Sequence, residues 1–282
     1  MNRIQSVVLF FLLYACAVRC GVDTQPPAPS GTPEVPVRLF RVVHVFVALC
    51  DNKHQGIVPV PTELGNGQDP KNNLYWGALY GVDTFFKRSR HWKHVDVAEA
   101  PKAPGVIVRS AFQSTGRGKT VYVVMSGYDG RRMKAALADF LNASAGLFPG
   151  EMTLAVQGKR VKVPVGGHAD MVCFVGHNGL MDTTPAKFPQ RSGGNTPRCA
   201  VVLACRSQKY FAEPLRQTKC RPLLMTTGLM APEAYTLDAV CRSWAAGDDA
   251  ATTCEKAAAA YAKYQKCSLR AARRIFVTGA DK

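Results

Sequence analysis

The chain has 282 residues, 47% of them hydrophobic, enough to bury a sizeable core in one large domain or two small ones. Lys plus Arg is 36 against 20 for Asp plus Glu, a formal net charge of +16. These values exclude a disordered polymer and a disulfide knot too small to support itself. Beyond the N-terminus, no apolar run approaches the roughly 20 residues needed to span a bilayer.

Arg3 precedes an apolar run over residues 7–17 (VVLFFLLYACA) and Arg19 follows it, so residues 1–20 read as a secretory signal peptide. Ala15-Cys16-Ala17 is an A-x-A-like cleavage site. Leu13-Tyr14-Ala15-Cys16 offers a lipoprotein signal as the alternative, although Tyr14 is bulky for one, and Arg19 stands where Cys20 would need a small neighbour. Residues 21–36 carry five prolines and no aromatic residue, the composition of an extended tether. The domain proper is expected over 37–282. Signal, tether and domain describe an exported protein, whether periplasmic, secreted or lipid-anchored to the cell envelope.

Within the domain, residues 37–50 (VRLFRVVHVFVALC) read as a buried strand, followed by a polar loop over 51–72. Apolar groups at helical spacing predict a helix over 74–87 despite two glycines. Strands are expected over 106–112 and 120–125, joined by a turn, and a helix over 131–145 ended by Gly146. A hairpin over 152–163 precedes three short strands: 171–175 (MVCFV), 199–204 (CAVVLA) and 223–227. Helices over 232–246 and 253–266 and a last strand over 275–278 complete the chain. Short apolar strands alternating with helices predict an α/β fold, a three-layer and mostly parallel sheet with helices on both faces.

In open parallel sheets, sites gather outside the carboxyl ends of the strands. His177 follows MVCFVG, and Cys205 follows CAVVLA on the next predicted strand. Neighbouring strands lie about 4.8 Å apart, so the two side chains could meet above the sheet edge. A thiol beside an imidazole gains thiolate character, and the ring can shuttle a proton. Gly179 is the candidate oxyanion donor through its N–H. In the loop after the first strand, Asp51, Asn52 and Asn66 are candidate substrate-binding residues, with a solvated loop as the plainer reading.

The order strand, helix, strand, helix, then a strand ending in Gly-His-x-Gly and a strand ending in Ala-Cys resembles the caspase-like cysteine peptidases, the group of caspases, legumains, gingipains and CHAT-type proteins. The resemblance implies His177 as proton shuttle, Cys205 as nucleophile and no cofactor. This chain departs from the pattern in three places. Asn178 stands between His177 and Gly179, Leu203 occupies a position often polar in the family, and residues 180–198 show no convincing helix.

Ten cysteines fit an oxidising compartment, and no CxxC pair is present, which argues against a zinc ribbon. Cys199 and Cys220 flank a strand and a loop and make a candidate disulfide. Cys241, Cys254 and Cys267 lie in a helical region and could bridge or remain free. Residues 116–120 (GRGKT) resemble the end of a P-loop, but Gln113 stands where its first glycine belongs and a strand follows, so a turn is expected. Cys173 and His177 lack a third ligand, so no metal is expected.

Residues 87–94 (KRSRHWKH) are the densest basic cluster, read as a charged helix end that could also attract an anionic surface or polyanion. The charge is spread over the chain without the stripe of a nucleic-acid reader. The expected partner is therefore a peptide or protein substrate, and a membrane enters only through the signal or a lipid anchor. The competing function is a non-catalytic envelope protein of the same fold that binds a peptide, glycan or polyanion.

Overall fold

The computed structural model describes residues 39–116, 119–183, 185, 187–190 and 198–279, within the unit Arg38–Lys282. The expected signal and tether, and part of the 114–119 turn, lie outside the described residues. The strands are β1 (Phe40–Ala48), β2 (Trp92–Glu99), β3 (Val106–Ser114), β4 (Thr120–Tyr128), β5 (Pro149–Val156), β6 (Lys159–Gly166), β7 (Met171–Val175), β8 (Cys199–Leu203), β9 (Arg221–Thr226) and β10 (Phe276–Val277). The helices are α1 (Val82–Arg88), α2 (Met133–Ser144), α3 (Ser207–Thr218), α4 (Ala234–Ala246), α5 (Ala250–Gln265) and α6 (Leu269–Arg273).

Among the described residues the strands form one sheet in the order β10-β9-β8-β7-β1-β4-β3-β2-β5-β6. Only its middle is parallel: β4-β1, β1-β7, β7-β8 and β8-β9 are parallel pairs. The other five of the nine pairings are antiparallel. The fold is α/β, but the expectation of a mostly parallel sheet is corrected to a mixed one. Short turns add the hairpins β3-β4 and β5-β6 outside the parallel block, since only antiparallel neighbours can be joined that way.

The parallel strands are buried on both faces, which explains their unbroken apolar sequences. Val43, Val45 and Val47 of β1 point into a core shared with α1, α4 and α5. Phe46 and Ala48 point the other way, into a core with α2 and α3. Burying such side chains contributes about 1.5–3 kcal/mol each, so both helical layers are held chiefly by this strand block.

Four elements differ from expectation, the short α6, which the sequence reading lacks, among them. The helix expected over 74–87 begins only at Val82. A Cβ at Gly77 would collide with the Lys71 carbonyl, and one at Gly81 with the Trp76 backbone, so turns replace its first half. β2 runs through the basic cluster, with Trp92 and Val95 buried between charged neighbours. α3 is absent from the sequence reading because Pro214 and a polar composition obscure it, although Phe211, Leu215 and Thr218 form its buried stripe. No helix among the described residues is long and apolar enough to cross a membrane.

Candidate active site

Register places the two reactive residues at the same level of the sheet edge. β7 and β8 pair in parallel from Met171 opposite Cys199 to Val175 opposite Leu203, and the Gly176 N–H donates to Leu203 O at 3.3 Å. Two steps further along, His177 stands opposite Cys205 at the carboxyl edge of the sheet.

Beyond β7 the chain folds back in tight turns, in which Met181 N–H donates to Asn178 O at 2.9 Å and Thr183 N–H to Gly179 O at 3.0 Å. The turn returns Asp182 to His177, whose Nε2 lies 2.7 Å from Asp182 Oδ2. The imidazole is nearly covered, whereas the carboxylate is partly exposed. Nδ1 is the ring nitrogen that Asp182 leaves unengaged. Asp182 was not among the residues singled out in the sequence. An acidic residue five positions after His177, beyond a glycine turn, is a signal only once the turn is known.

Asn178 is fully buried. It donates to the Cys205 carbonyl at 2.6 Å and accepts the Leu180 N–H at 3.2 Å. It thereby clamps the two strand ends together. This gives physical meaning to the residue that departs from the Gly-His-Gly pattern. Gly179 is placed differently from expectation. Its N–H donates to His177 O at 3.0 Å, and a Cβ there would meet Met133 and Leu137 of α2. Its amide is therefore engaged, and the oxyanion role read from the sequence does not fit this geometry.

Cys205 is a free, half-buried thiol. Its sulfur lies 3.4 Å from both the N–H and the carbonyl of Met230. The N–H favours a thiolate and the carbonyl favours the thiol, so the two contacts oppose each other. Arg206 takes a left-handed conformation (φ 50°) and α3 starts at the next residue, which places Cys205 on a sharp strand-to-helix turn. Arg206 N–H donates to Gly228 O at 2.8 Å. The segment around Gly228 and Met230 thus forms the wall beside the thiol.

Five other cysteines differ in kind. Burial pushes Cys50 and Cys199 up to about 11 and Cys220 up to about 12, and holds Cys173 and Cys241 well above the usual thiol range. Such thiols remain protonated and inert at neutral pH. The candidate disulfide is not formed: Cys199 and Cys220 are separate buried thiols.

The loop after β1 holds the residues expected to bind substrate, and their polar groups hold the loop itself. Asp51 is buried and accepts hydrogen bonds from Lys53 N–H, His54 and Gln68. Burial alone would raise its carboxyl, yet these donors outweigh it and pull it below the usual carboxylate range. Gln68 also donates to Asp129 at 2.8 Å, tying the ends of β1 and β4 together. Asn52 pairs in both directions with the Val60 backbone, and Asn66 Oδ1 accepts the Gln68 N–H. The loop still borders the site, because a Cβ on Gly56 would touch Asp182.

A histidine–hydroxyl pair lies inside the sheet, where His44 Nε2 is 3.1 Å from Ser126 Oγ. The Gly166 N–H donates to His44 Nδ1 at 2.9 Å, so Nδ1 is unprotonated and Nε2 carries the hydrogen toward Ser126. That tautomer cannot accept the serine proton. Burial, then the Arg109 charge, lowers His44 to about 3, so it stays neutral. Among the described residues, no group of three His, Cys, Asp or Glu side chains is placed to hold a metal ion.

Comparison of the chain with protein-family models finds no match, and comparisons with curated proteins and with solved structures find no significant one.

Proposed function

We propose that the protein is an exported cysteine hydrolase related to the caspase-like peptidases, with Cys205 as nucleophile, His177 as proton shuttle and Asp182 as the positioning residue for His177. One observation carries the reading: the β7-β8 register, continued by two residues, aligns His177 with the only cysteine that is both at the sheet's carboxyl edge and half-exposed among those described. The resemblance in sequence order and the parallel middle of the sheet support it.

His177 takes the Cys205 proton, and the sulfur attacks the carbonyl carbon of a peptide or ester. The C–S bond forms while the carbonyl π electrons move to oxygen. Collapse breaks the bond to the leaving amine or alcohol, which takes its proton from His177. Water, deprotonated by the same ring, then cleaves the thioester and restores the thiol. The carboxylate of Asp182 holds the imidazole in one orientation and tautomer throughout, as the third group of such a relay does.

The test is alkylation of the domain by iodoacetamide across pH, followed residue by residue by mass spectrometry. Cys205 is expected to label rapidly at pH 7, with His177→Ala slowing it about 100-fold, a typical magnitude for loss of a general base. Slow labelling of Cys205 that ignores the His177 change removes the enzyme reading and leaves a binding protein of the same fold.

A further inference from the structure

A cavity of about 680 Å³ includes neither His177 nor Cys205. It lies between the α1-β2 connection and helices α4 and α5, and an adjoining cavity of about 400 Å³ shares His91, Asp238, Arg242, Phe85 and Tyr264 with it. The two adjoin as one groove, and each part falls within the size range of small-molecule sites. We propose that this groove binds a small, multiply phosphorylated anion, independently of any chemistry at Cys205.

Arg242 is the centre of the argument. Asp238 is nearly buried and accepts from Trp92 Nε1 at 2.7 Å and from Arg242 Nε at 3.0 Å, so the guanidinium is oriented while its side chain stays partly exposed. An Nη1 hydrogen of Arg242 points to His91 Nε2 at 3.4 Å. Partial burial, then the Arg242 charge, lowers His91, which keeps its ring an acceptor. A guanidinium fixed through Nε presents its remaining donors in the fork that suits phosphate oxygens.

Around it the charge is one-sided. Lys119 and Lys263 line one cavity and Arg88 and Arg90 the other, and none of the four is in an ion pair among those described. Lys256 also lines the groove but is paired with Asp248. Among the described residues Asp238 is the only carboxylate in either lining, and both its oxygens are engaged. Four unpaired cations plus an oriented arginine exceed what a single carboxylate would neutralise, which points to a ligand with several negative charges. The floor is aromatic, with Tyr264 stacked on Tyr235 at 4.6 Å and Lys263 over the Tyr264 ring. Inorganic polyphosphate and a nucleotide share the required chemistry, and the aromatic floor adds something only for the nucleotide.

The test is calorimetric titration of the whole domain at about 0.1 M salt with tripolyphosphate and, separately, with ATP. Both are expected to bind. The double variant Lys119→Gln/Lys263→Gln is expected to weaken each about tenfold or more, in line with two lost charge-assisted hydrogen bonds. The control Lys159→Gln/Lys162→Gln on β6 removes the same net charge outside the groove and is expected to change affinity less than twofold. Tighter binding of ATP than of tripolyphosphate assigns a role to the aromatic floor, and equal binding assigns the site to the phosphates alone. Failure of both probes to bind at 1 mM, binding of polyglutamate in their place, or equal weakening by the control variant overturns the proposal. Cys205 labelling is unaffected in every arm.

Discussion

The molecule holds two pairs of a histidine with a nucleophile-type side chain, and they differ in what surrounds them. His44 and Ser126 face each other across β1 and β4 inside the sheet, both nearly solvent-free. His177 and Cys205 stand just past the ends of β7 and β8. In the first pair a backbone N–H occupies the nitrogen that would have to be basic, and burial keeps the ring neutral. In the second a carboxylate holds one nitrogen and leaves the other unengaged at the strand end. Proximity of the right residue types is therefore not enough. Tautomer, access and position along the strand decide which pair is a candidate for chemistry.

The largest expected effect separates the pairs directly. His177→Ala is expected to slow Cys205 alkylation about 100-fold at pH 7, whereas His44→Gln leaves it within twofold, as read by mass spectrometry. Comparable slowing by both would erase the distinction.

The next effect concerns stability. His44 has a folded pKa of about 3 and an ordinary unfolded value near 6.5, so the unfolded chain binds the extra proton between them. The stabilisation is fully present above about pH 6.5 and falls by about 1.4 kcal/mol per pH unit below it, down to about pH 3. Denaturant melts at pH 7, 5.5 and 4.5 should show this slope in the wild type and its flattening in His44→Gln. The variant should also be less stable at pH 7, because the buried Gly166 N–H loses its acceptor at a cost of about 1–3 kcal/mol.

Asp182→Asn tests the relay more gently. It is expected to slow alkylation about tenfold, with partial rescue by Asp182→Glu, since the charge is kept and only its reach changes. The smallest effect is expected of Ser126→Ala. It leaves the His44 Nε2–H without its partner and costs about 1–2 kcal/mol in the same melts, with no change in labelling. A labelling defect in this variant would place the interior pair in the mechanism after all.

Particular residues show how far the sequence could be read. The runs MVCFV and CAVVLA lack polar positions, so they declare buried strands, and the residues after them declare a sheet edge. Asp182 was silent because its partnership depends on a turn that folds it back onto His177. Gly179 misled because nothing local reveals that its α-carbon packs on α2 and its amide bonds to His177. The basic cluster over 87–94 was visible as charge, but β2 divides it. Its assembly with Lys119, Arg242 and Lys263, which lie far apart along the chain, could not be seen there.

What the sequence determined by itself was local: apolar periodicity, glycine and proline punctuation, and the α/β alternation that buries both faces of the central strands. The tertiary structure decided the rest. Pairing direction is set by which strands become neighbours, so the mixed sheet emerged only when hairpins were added beside the parallel block. Side-chain roles depend on burial and on hydrogen-bond partners far away in the chain. That is why Cys205 and Cys199, six residues apart in sequence, end as a half-exposed thiol at the sheet edge and an inert one inside it.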